Sequence, residues 1–466
     1  MAADTLPPDR ACFKAYDIRG RVPDQFNPAL AYRIGAAFAK HTGARRVVVG
    51  RDMRLTGPAI AQALVQGLIT QGVDVVDIGM CGTEEVYFAT PHLDADGGIM
   101  VTASHNPGDY NGMKLVARGA RPISGDTGLF DIRDLTNVEI APVSRTDHGS
   151  VQEQSIHTAY TEHLLSYINL ESLKPLRIVA NPGNGMAGPT IERLKAVLPF
   201  EFVLLQDKPD GTFPNGVPNP LLESNRQITA QAVVDNRAEL GVAWDGDFDR
   251  CFFFDADGRF IEGYYIVGLL ADALLRKSPD AAVIHDPRLT WNTIQLVEAA
   301  GGRAVQSKTG HAFIKERMRK EDAVYGGEMS AHHYFRAFNY CDSGMIPWLL
   351  VAEMLCKANT TLAELVDQRI RLFPCSGEIN RRVDDAEDVL ARIYEGYAPA
   401  GDSRCESPVI DNTDGLSIEY RHWRFNVRRS NTEPLLRLNV ETRADADLLD
   451  RKTKELLEVI GGQPAT

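Results

Sequence analysis

Arg46-Val47-Val48-Val49-Gly50 leads through a polar loop, residues 51–57, into a helical stretch, 58–71, and on to Val73-Asp74-Val75-Val76-Asp77-Ile78-Gly79. The first run is apolar throughout and reads as a buried strand. The helical stretch opens on Pro, and the last run is a second strand. Two strands joined through a helix favour a parallel sheet and an α/β fold. The order returns where residues 176–180 lead through Asn181-Pro182-Gly183-Asn184-Gly185 into a helix over 189–198. It returns again where Ala282-Val283-Ile284-His285 leads through 286–290 into a helix over 291–300. The three units share little sequence, but their spacing predicts three similar α/β domains in tandem. Upstream, residues 13–20 read as a strand running into a loop, and 29–41 as a helix. The last stretch differs: strands over 416–420, 423–428 and 435–441 precede an amphipathic helix over 444–460, which predicts a small α+β domain. The domains are expected at 1–150, 151–253, 254–371 and 372–466. Residues 207–220, rich in Gly and Pro, are a rigid loop within a domain.

At 466 residues the chain is too long for a single core. The formal net charge is −13 and there is no sustained basic tract, which argues against a nucleic-acid binder but leaves room for a local basic pocket. The seven Cys are scattered and odd in number, which suggests free thiols in a cytoplasmic protein. Residues 1–5 carry no basic-then-apolar signal pattern, and no uncharged apolar stretch is long enough to span a membrane.

Four stretches carry chemistry. In the first, the buried run Gly98-Ile99-Met100-Val101 stops at Thr102-Ala103-Ser104-His105-Asn106-Pro107, and a turn-rich loop, 107–112, follows. Ser104 sits where a rigid strand gives way to a loop that can meet a ligand. Alone, such a serine more often bonds local backbone. The second, Asp245-Gly246-Asp247-Phe248-Asp249-Arg250, follows the apolar strand 240–244 and precedes Cys251-Phe252-Phe253-Phe254. Carboxylates at alternate positions project to one side of an extended chain, and three so close repel unless a cation sits among them. Oxygen ligands of this kind suit Mg2+. The apolar flanks disfavour a solvated acidic turn. Arg250 at the sixth position and Ala256 at the twelfth exclude an EF-hand, which needs Gly and Glu there.

The third, Gly326-Gly327-Glu328-Met329-Ser330-Ala331-His332-His333, offers a carboxylate, a hydroxyl and imidazoles suited to sugar hydroxyls, and Lys308-Thr309-Gly310-His311 is a similar, individually weak loop. The fourth, Arg428-Arg429-Ser430-Asn431-Thr432, lies between two strands of the last domain. Its guanidiniums, hydroxyls, amide and loop N–H groups would cradle a phosphate, although alone it reads as a polar hairpin turn. Together the four describe phosphoryl transfer to or from a sugar. There is no Gly-x-x-x-x-Gly-Lys-Ser/Thr loop, hence no sign of nucleotide binding.

With these motifs in this order, the chain resembles the α-D-phosphohexomutases over nearly its whole length, and within them the bacterial phosphomannomutases of sugar-nucleotide synthesis. Residues 12–20 and Asp342-Ser343-Gly344-Met345-Ile346-Pro347-Trp348 share in the likeness. The resemblance implies four domains around a central cleft. It implies Ser104 as a phosphoserine, and Mg2+ held by Asp245, Asp247, Asp249 and a phosphoserine oxygen. Glu328 and Ser330 would bond the sugar O3 and O4. Arg428, Ser430, Asn431 and Thr432, with Tyr16, would hold the non-reacting phosphate. Arg19, His105 and Lys114 would lie near the transferred group, with Lys114 a candidate general acid/base. Arg250, counted with the reacting groups, would line the sugar site together with Arg288, His311 and His332. Two positions depart from the pattern: Arg288 stands where relatives often carry Lys, and Arg429 where they carry a small residue.

The implied activity is a reversible phosphomannomutase. Mannose 6-phosphate and mannose 1-phosphate interconvert through phosphoserine and a hexose 1,6-bisphosphate, which also serves as activator. Glucose phosphates are expected substrates too, because Glu328 and Ser330 would read C3 and C4 whereas mannose and glucose differ at C2. A phosphoglucosamine mutase is a weaker alternative, since those enzymes typically carry Gln where Met329 stands. Rival functions are a metal-dependent phosphatase and a non-catalytic phosphosugar-binding protein. The expected partners are phosphosugars, with no nucleic acid and no membrane, and the chain is expected to act as a monomer in the cytoplasm.

Overall fold

The computed structural model describes residues 6–7, 9–398, 407–429 and 435–465. The chain forms two compact units, one of the residues up to Phe260 together with His332–Asn359, the other of Ile261–Ala331 with the residues from Thr360 onward.

The first unit contains two sheets. In one, the strands run in the spatial order Ile18–Arg21, Tyr110–Ala117, Gly97–Val101, Arg46–Arg51, Asp74–Met80, Val151–Glu153. Arg46–Arg51 is parallel to both Asp74–Met80 and Gly97–Val101, as the opening stretch of sequence requires. Tyr110–Ala117 returns antiparallel beside Gly97–Val101 and pairs with Ile18–Arg21 on its other side. Here two expectations change. Residues 13–17 do not extend the first strand; a turn closed by Lys14 N–H on the Asp17 carbonyl occupies them, and Phe13 merely bridges Ile18. Asn111 and Gly112, read as turn residues, lie inside a strand. A Cβ on Gly112 would stand 1.8 Å from the Ile18 carbonyl oxygen, so the glycine is there for close strand approach and not for a turn.

The flanking helices follow their end signals. Pro28–Thr42 starts on Asn27, whose side chain accepts from Leu30 N–H at 3.0 Å, and stops at Gly43 with φ +65°. It packs on Gly57–Ile69 through Gly35 and Gly67: a Cβ at either would meet the other helix's backbone at 2.4 Å or less. The core between these helices and the sheet is built from Val47, Val49, Ile99, Val101, Leu30, Ile34, Leu64 and Leu68, all buried.

The second sheet places Cys251–Phe254, Leu240–Trp244, Arg177–Asn181 and Glu201–Leu204 side by side; the last three are parallel and the first antiparallel. Ala187–Lys195 supplies the expected crossover helix.

In the second unit, Arg303–Gln306, Ala282–His285 and Tyr325–Gly327 form a third parallel core. The remaining sheet is Val409–Asp411, Leu416–Glu419, Trp423–Arg429, Leu435–Thr442, Ile379–Arg382 and Gln463–Ala465 in spatial order, covered by the helices Ala386–Tyr397 and Ala446–Ile460. The last helix begins two residues later than its pattern suggests. Ala444 is left-handed at φ +51°, and Asp445 caps the helix by accepting from Leu448 N–H at 2.8 Å. Three parallel β-α-β cores followed by one antiparallel sheet are the α/β-plus-α+β order expected. Among the described residues, no helix is long and apolar enough to cross a membrane.

Parallel strands gather ligand loops at their carboxyl ends. Gly97–Val101 delivers Ser104, Leu240–Trp244 delivers Asp245, Ala282–His285 delivers Asp286 and Arg288, and Tyr325–Gly327 delivers Glu328.

Candidate functional site

Ser104 leaves its strand with φ +49°, a conformation uncommon for a residue with a side chain. Buried polar groups hold it there. Thr102 Oγ1 donates to Asp52 Oδ2 at 2.6 Å and accepts the Ser104 N–H at 2.9 Å. The Arg54 guanidinium donates to four carbonyls of the loop: Ser104 at 2.8, Asn106 at 2.6, Pro107 at 2.7 and Tyr110 at 2.9 Å. Its charge is balanced by Asp52 at 3.4 Å, both side chains being fully buried. Arg54→Met should therefore lower stability by about 3–5 kcal/mol, since it strands a buried carboxylate and frees four carbonyls. Denaturant unfolding measures this, and a change under 1 kcal/mol would contradict the assigned role.

The Ser104 hydroxyl donates to Asp245 Oδ2 at 2.9 Å and lies 3.0 Å from His105 Nδ1. Asp245, Asp247 and Asp249 are all buried, and each offers a carboxylate oxygen within 4.8 Å of the others. Cations surround them. Lys114 Nζ donates to Asp247 Oδ2 at 2.7 Å and to Asp249 Oδ2 at 2.5 Å. Arg250 donates twice to Asp245 Oδ2, at 2.6 and 2.9 Å, and its guanidinium also touches His105 Nδ1. His332 Nε2 is 3.6 Å from Asp249 Oδ1, and residues 250 and 332 are joined by a backbone bridge. Arg19 reaches the loop by donating to Asn106 Oδ1 at 2.8 Å, while Asp17 accepts from its Nε at 2.8 Å.

Burial pushes the Asp245 carboxyl up to about 6 against the pull of Arg250. Burial also acts to raise Asp249, but Lys114 and His332 outweigh it and hold the group well below the usual carboxylate range. The Lys114 ammonium is destabilised by burial, yet Asp247 and Asp249 hold its pKa far above the ordinary lysine value. Burial and the neighbouring Arg250 depress His105 strongly, so its imidazole is neutral.

The acidic loop is shaped by a segment that sequence inspection passed over. Thr83 Oγ1 donates to Asp247 Oδ2, and Thr83 N–H donates to the Asp247 carbonyl at 3.1 Å. Beside it, a Cβ on Gly82 would stand 2.0 Å from the Phe248 ring, so only glycine admits that ring. Asp247 Oδ1 is buried and has no hydrogen-bond partner among the described residues. An orphaned carboxylate oxygen in a buried triplet of aspartates is the donor set of a hard divalent cation, and the residues fit one.

The second unit gathers the remaining expectations. Asp286 grips Arg288 through both oxygens, at 2.8 and 3.1 Å, and accepts Met329 N–H at 2.9 Å. Arg288 Nη2 donates to Ser330 Oγ at 3.4 Å and is 3.7 Å from Glu328 Oε1. Glu328 Oε1 accepts Gly310 N–H at 2.9 Å, which brings the residue before His311, first residue of the helix His311–Glu321, against the sugar-reading loop. Arg424 donates to the Pro287 carbonyl at 2.8 Å and the Arg288 carbonyl at 3.0 Å, with Glu441 accepting from its Nη1 at 2.8 Å. Arg428 meets Glu378 at 3.1 Å. Arg429 points to solvent in an exposed pair with Glu387 at 2.7 Å.

Ser104, His105, Lys114, the three aspartates, Arg250, Arg19 and His332 thus form one cluster. Arg288, Glu328 and Ser330 form another, which Arg428 joins through Glu378. Tyr16 is half-buried just ahead of the strand Ile18–Arg21. Ser430, Asn431 and Thr432 lie outside the described residues. The groups missed are Asp52, Arg54, Thr83, Glu378, Arg424, Arg437 and Glu441. Asp52 and Arg54 alone left a signal, as charges directly after a buried parallel strand.

Known proteins match this chain over nearly its whole length. Family models match in four consecutive pieces, described as phosphoglucomutase/phosphomannomutase alpha/beta/alpha domain I over residues 10–139, domain II over 158–258, domain III over 262–373, and the C-terminal domain over 378–459. A Xanthomonas campestris pv. campestris protein named phosphohexose mutases is 59% identical over 458 residues, 98% of this chain and 100% of its own length. The phosphomannomutase of Salmonella montevideo is 57% identical over 455 residues, 96% of this chain and 98% of its own. Among solved structures, a phosphoglucomutase/phosphomannomutase family protein from Burkholderia thailandensis superposes with a TM-score of 0.85 at 32% identity, covering 99% of this chain and 100% of that one.

Proposed function

Because this chain belongs to the phosphoglucomutase/phosphomannomutase family of α-D-phosphohexomutases, we propose that it interconverts mannose 6-phosphate and mannose 1-phosphate, and the glucose pair with them, through a phosphoserine at Ser104. It is an isomerase that works by phosphoryl transfer. The observation that carries the assignment to Ser104 is its hydroxyl, 2.9 Å from Asp245 in a buried nest of three carboxylates and the Lys114 ammonium.

In the forward half-reaction the bond from phosphorus to Ser104 Oγ breaks as a bond forms from phosphorus to the free hydroxyl oxygen of the hexose monophosphate. The proton of that hydroxyl passes to an oxygen of the transferred phosphoryl group, and Ser104 Oγ takes one from Lys114. Lys114, held protonated by Asp247 and Asp249, is thus the acid toward the departing serine oxygen in this half-reaction, and the base that takes the proton back when Ser104 attacks the bisphosphate in the return half. The resulting 1,6-bisphosphate turns round and returns its other phosphate to Ser104. Glu328 and Ser330 bond the sugar O3 and O4 in both orientations, with Arg288, His311 and His332 around the ring. Arg428, Ser430, Asn431, Thr432 and Tyr16 hold whichever phosphate is not reacting. Arg19 and Arg250 offset the charge of the phosphoryl group in flight, and the neutral His105 imidazole lies beside it as a hydrogen-bonding group. Asp245, Asp247 and Asp249, with a phosphoserine oxygen, would hold Mg2+, which when bound supplies neutralisation of the charge developing on phosphate and serine oxygens. Free hexose 1,6-bisphosphate restores phosphoserine lost to hydrolysis. The described cysteines are all free thiols, which suits a cytoplasmic enzyme, here taken to act as a monomer.

The test incubates purified protein with mannose 1-phosphate, Mg2+ and a trace of hexose 1,6-bisphosphate, and follows mannose 6-phosphate, free phosphate and label on Ser104 together. Isomer with label and little free phosphate is expected; free phosphate as the main product would mean a phosphatase, and binding without either a carrier protein. Mannose and glucose phosphates should both turn over, because the residues assigned to the sugar read C3 and C4. A preference above about a thousandfold, roughly 4 kcal/mol, would contradict that reading of the pocket.

A further inference from the structure

Arg428 and Arg437 are direct partners across the antiparallel strands Trp423–Arg429 and Leu435–Thr442. Like charges placed this way repel. The loop arginine Arg288 comes to the same point. One carboxylate reconciles all three: Glu378 Oε2 accepts from Arg428 at 3.1 Å and from Arg288 at 3.3 Å, and Glu378 Oε1 accepts from Arg437 at 3.1 Å. Arg288 has Asp286 besides, so Glu378 is the counter-charge on which Arg428 depends. The side chains of Arg288 and Arg428 are 2% and 6% exposed, whereas that of Glu378 is 21% exposed. Arg288 and Arg428 are therefore fixed, whereas Glu378, like Arg437 at 24% exposed, reaches solvent and has room to move away from them. Arg428 Nε is buried with no hydrogen-bond partner among the described residues, so its guanidinium has donor capacity that Glu378 does not use.

We propose that Glu378 is a resident anion of the phosphate cradle, occupying the guanidiniums until a substrate phosphate displaces it and thereby weakening the grip on that phosphate. The inference rests on the functional reading above, in which Arg428 holds the non-reacting phosphate. A phosphate dianion brings more charge and three acceptor oxygens, so it outcompetes one carboxylate, but only by the difference between the two. A mutase needs such moderation. Its bisphosphate intermediate must be released from the cradle, turn and be gripped again in every cycle, and a cradle whose Arg428 lacked its counter-charge would hold it too long.

Glu378→Gln keeps the shape and removes the charge. Calorimetric titration with inorganic phosphate should show binding tightened by about tenfold relative to wild type. For mannose 1-phosphate, KM should fall and kcat should fall with it as release slows, a split that mere loss of packing would not produce. The tightening should vanish in Glu378→Gln/Arg428→Ala, which localises it to the cradle. Glu378→Asp, which retains the charge, should bind phosphate within about threefold of wild type. If Glu378→Gln is too unstable to titrate, a melting temperature that climbs more steeply with phosphate than that of wild type gives the same answer. Equal or weaker phosphate binding by Glu378→Gln, or a flat melting response, overturns the proposal. A wild-type protein that turns over no hexose phosphate would instead sink the functional reading, while the phosphate comparison would still decide the role of Glu378.

Discussion

Ser104→Ala is expected to lose mutase turnover by about 10⁴-fold or more while the protein stays folded and still binds hexose phosphate. Alanine has no oxygen on which a phosphoryl group can ride, so the route closes. The structural cost is small by comparison. Asp245, which accepts the Ser104 hydroxyl, keeps both of its bonds from Arg250. The loop keeps its backbone grip on Arg54 and Thr102. Losing one neutral donor to a group that retains other partners costs about 1 kcal/mol. Steady-state turnover of mannose 1-phosphate, read beside the denaturation midpoint and a binding isotherm, separates the two effects. Wild-type turnover in the variant would remove Ser104 from the mechanism altogether.

How much of this could be read in the chain depends on where each group's partners lie. Ser104 and the aspartates 245, 247 and 249 were legible because their chemistry is packed into six-residue segments that each follow an apolar strand. The parallel β-α-β order was legible for the same local reason. Lys114 left no such local trace: it sits mid-strand in Tyr110–Ala117, was reached only through the family resemblance, and shows its partners Asp247 and Asp249 only in the fold. Thr83 on Asp247 is likewise a partnership the fold makes, with nothing in the local sequence to announce it. Asn111 and Gly112 misled, since residues that serve turns also serve close strand approach. Glu378 was invisible because a lone glutamate before a strand is ordinary until three arginines converge on it.

Arg54 and Arg424 show one solution used twice. Each places a buried guanidinium on backbone carbonyls of the loop that carries a functional side chain, and each is balanced by a buried carboxylate, Asp52 for the first and Glu441 for the second. A loop carbonyl has no strand partner to satisfy it, and a five-donor planar cation satisfies several at once. Precision in the loops at the strand ends is thus supplied from below by arginines that are assigned no contact with substrate.

Lys114→Met should give the other large effect, and it reads two properties at once. The Lys114 ammonium lies 2.7 Å from Asp247 and 2.5 Å from Asp249, all three side chains nearly free of solvent. Methionine preserves the length and removes the charge. In chelator, the variant should be about 3–5 kcal/mol less stable than wild type, the cost of leaving buried carboxylates without their cation. Added Mg2+ should then raise its unfolding midpoint more than it raises that of wild type, because the ion no longer competes with an ammonium for Asp247 and Asp249, and binding to the folded state alone stabilises by mass action. Turnover should nonetheless remain down by about 10²–10⁴-fold at saturating Mg2+, since the divalent ion restores charge balance but not the proton donor. Stability equal to wild type in chelator would mean that the aspartates are not balanced by Lys114. Full turnover with Mg2+ would mean that the departing serine oxygen takes its proton from elsewhere. Only the joint outcome, stability restored and turnover not, assigns Lys114 both duties.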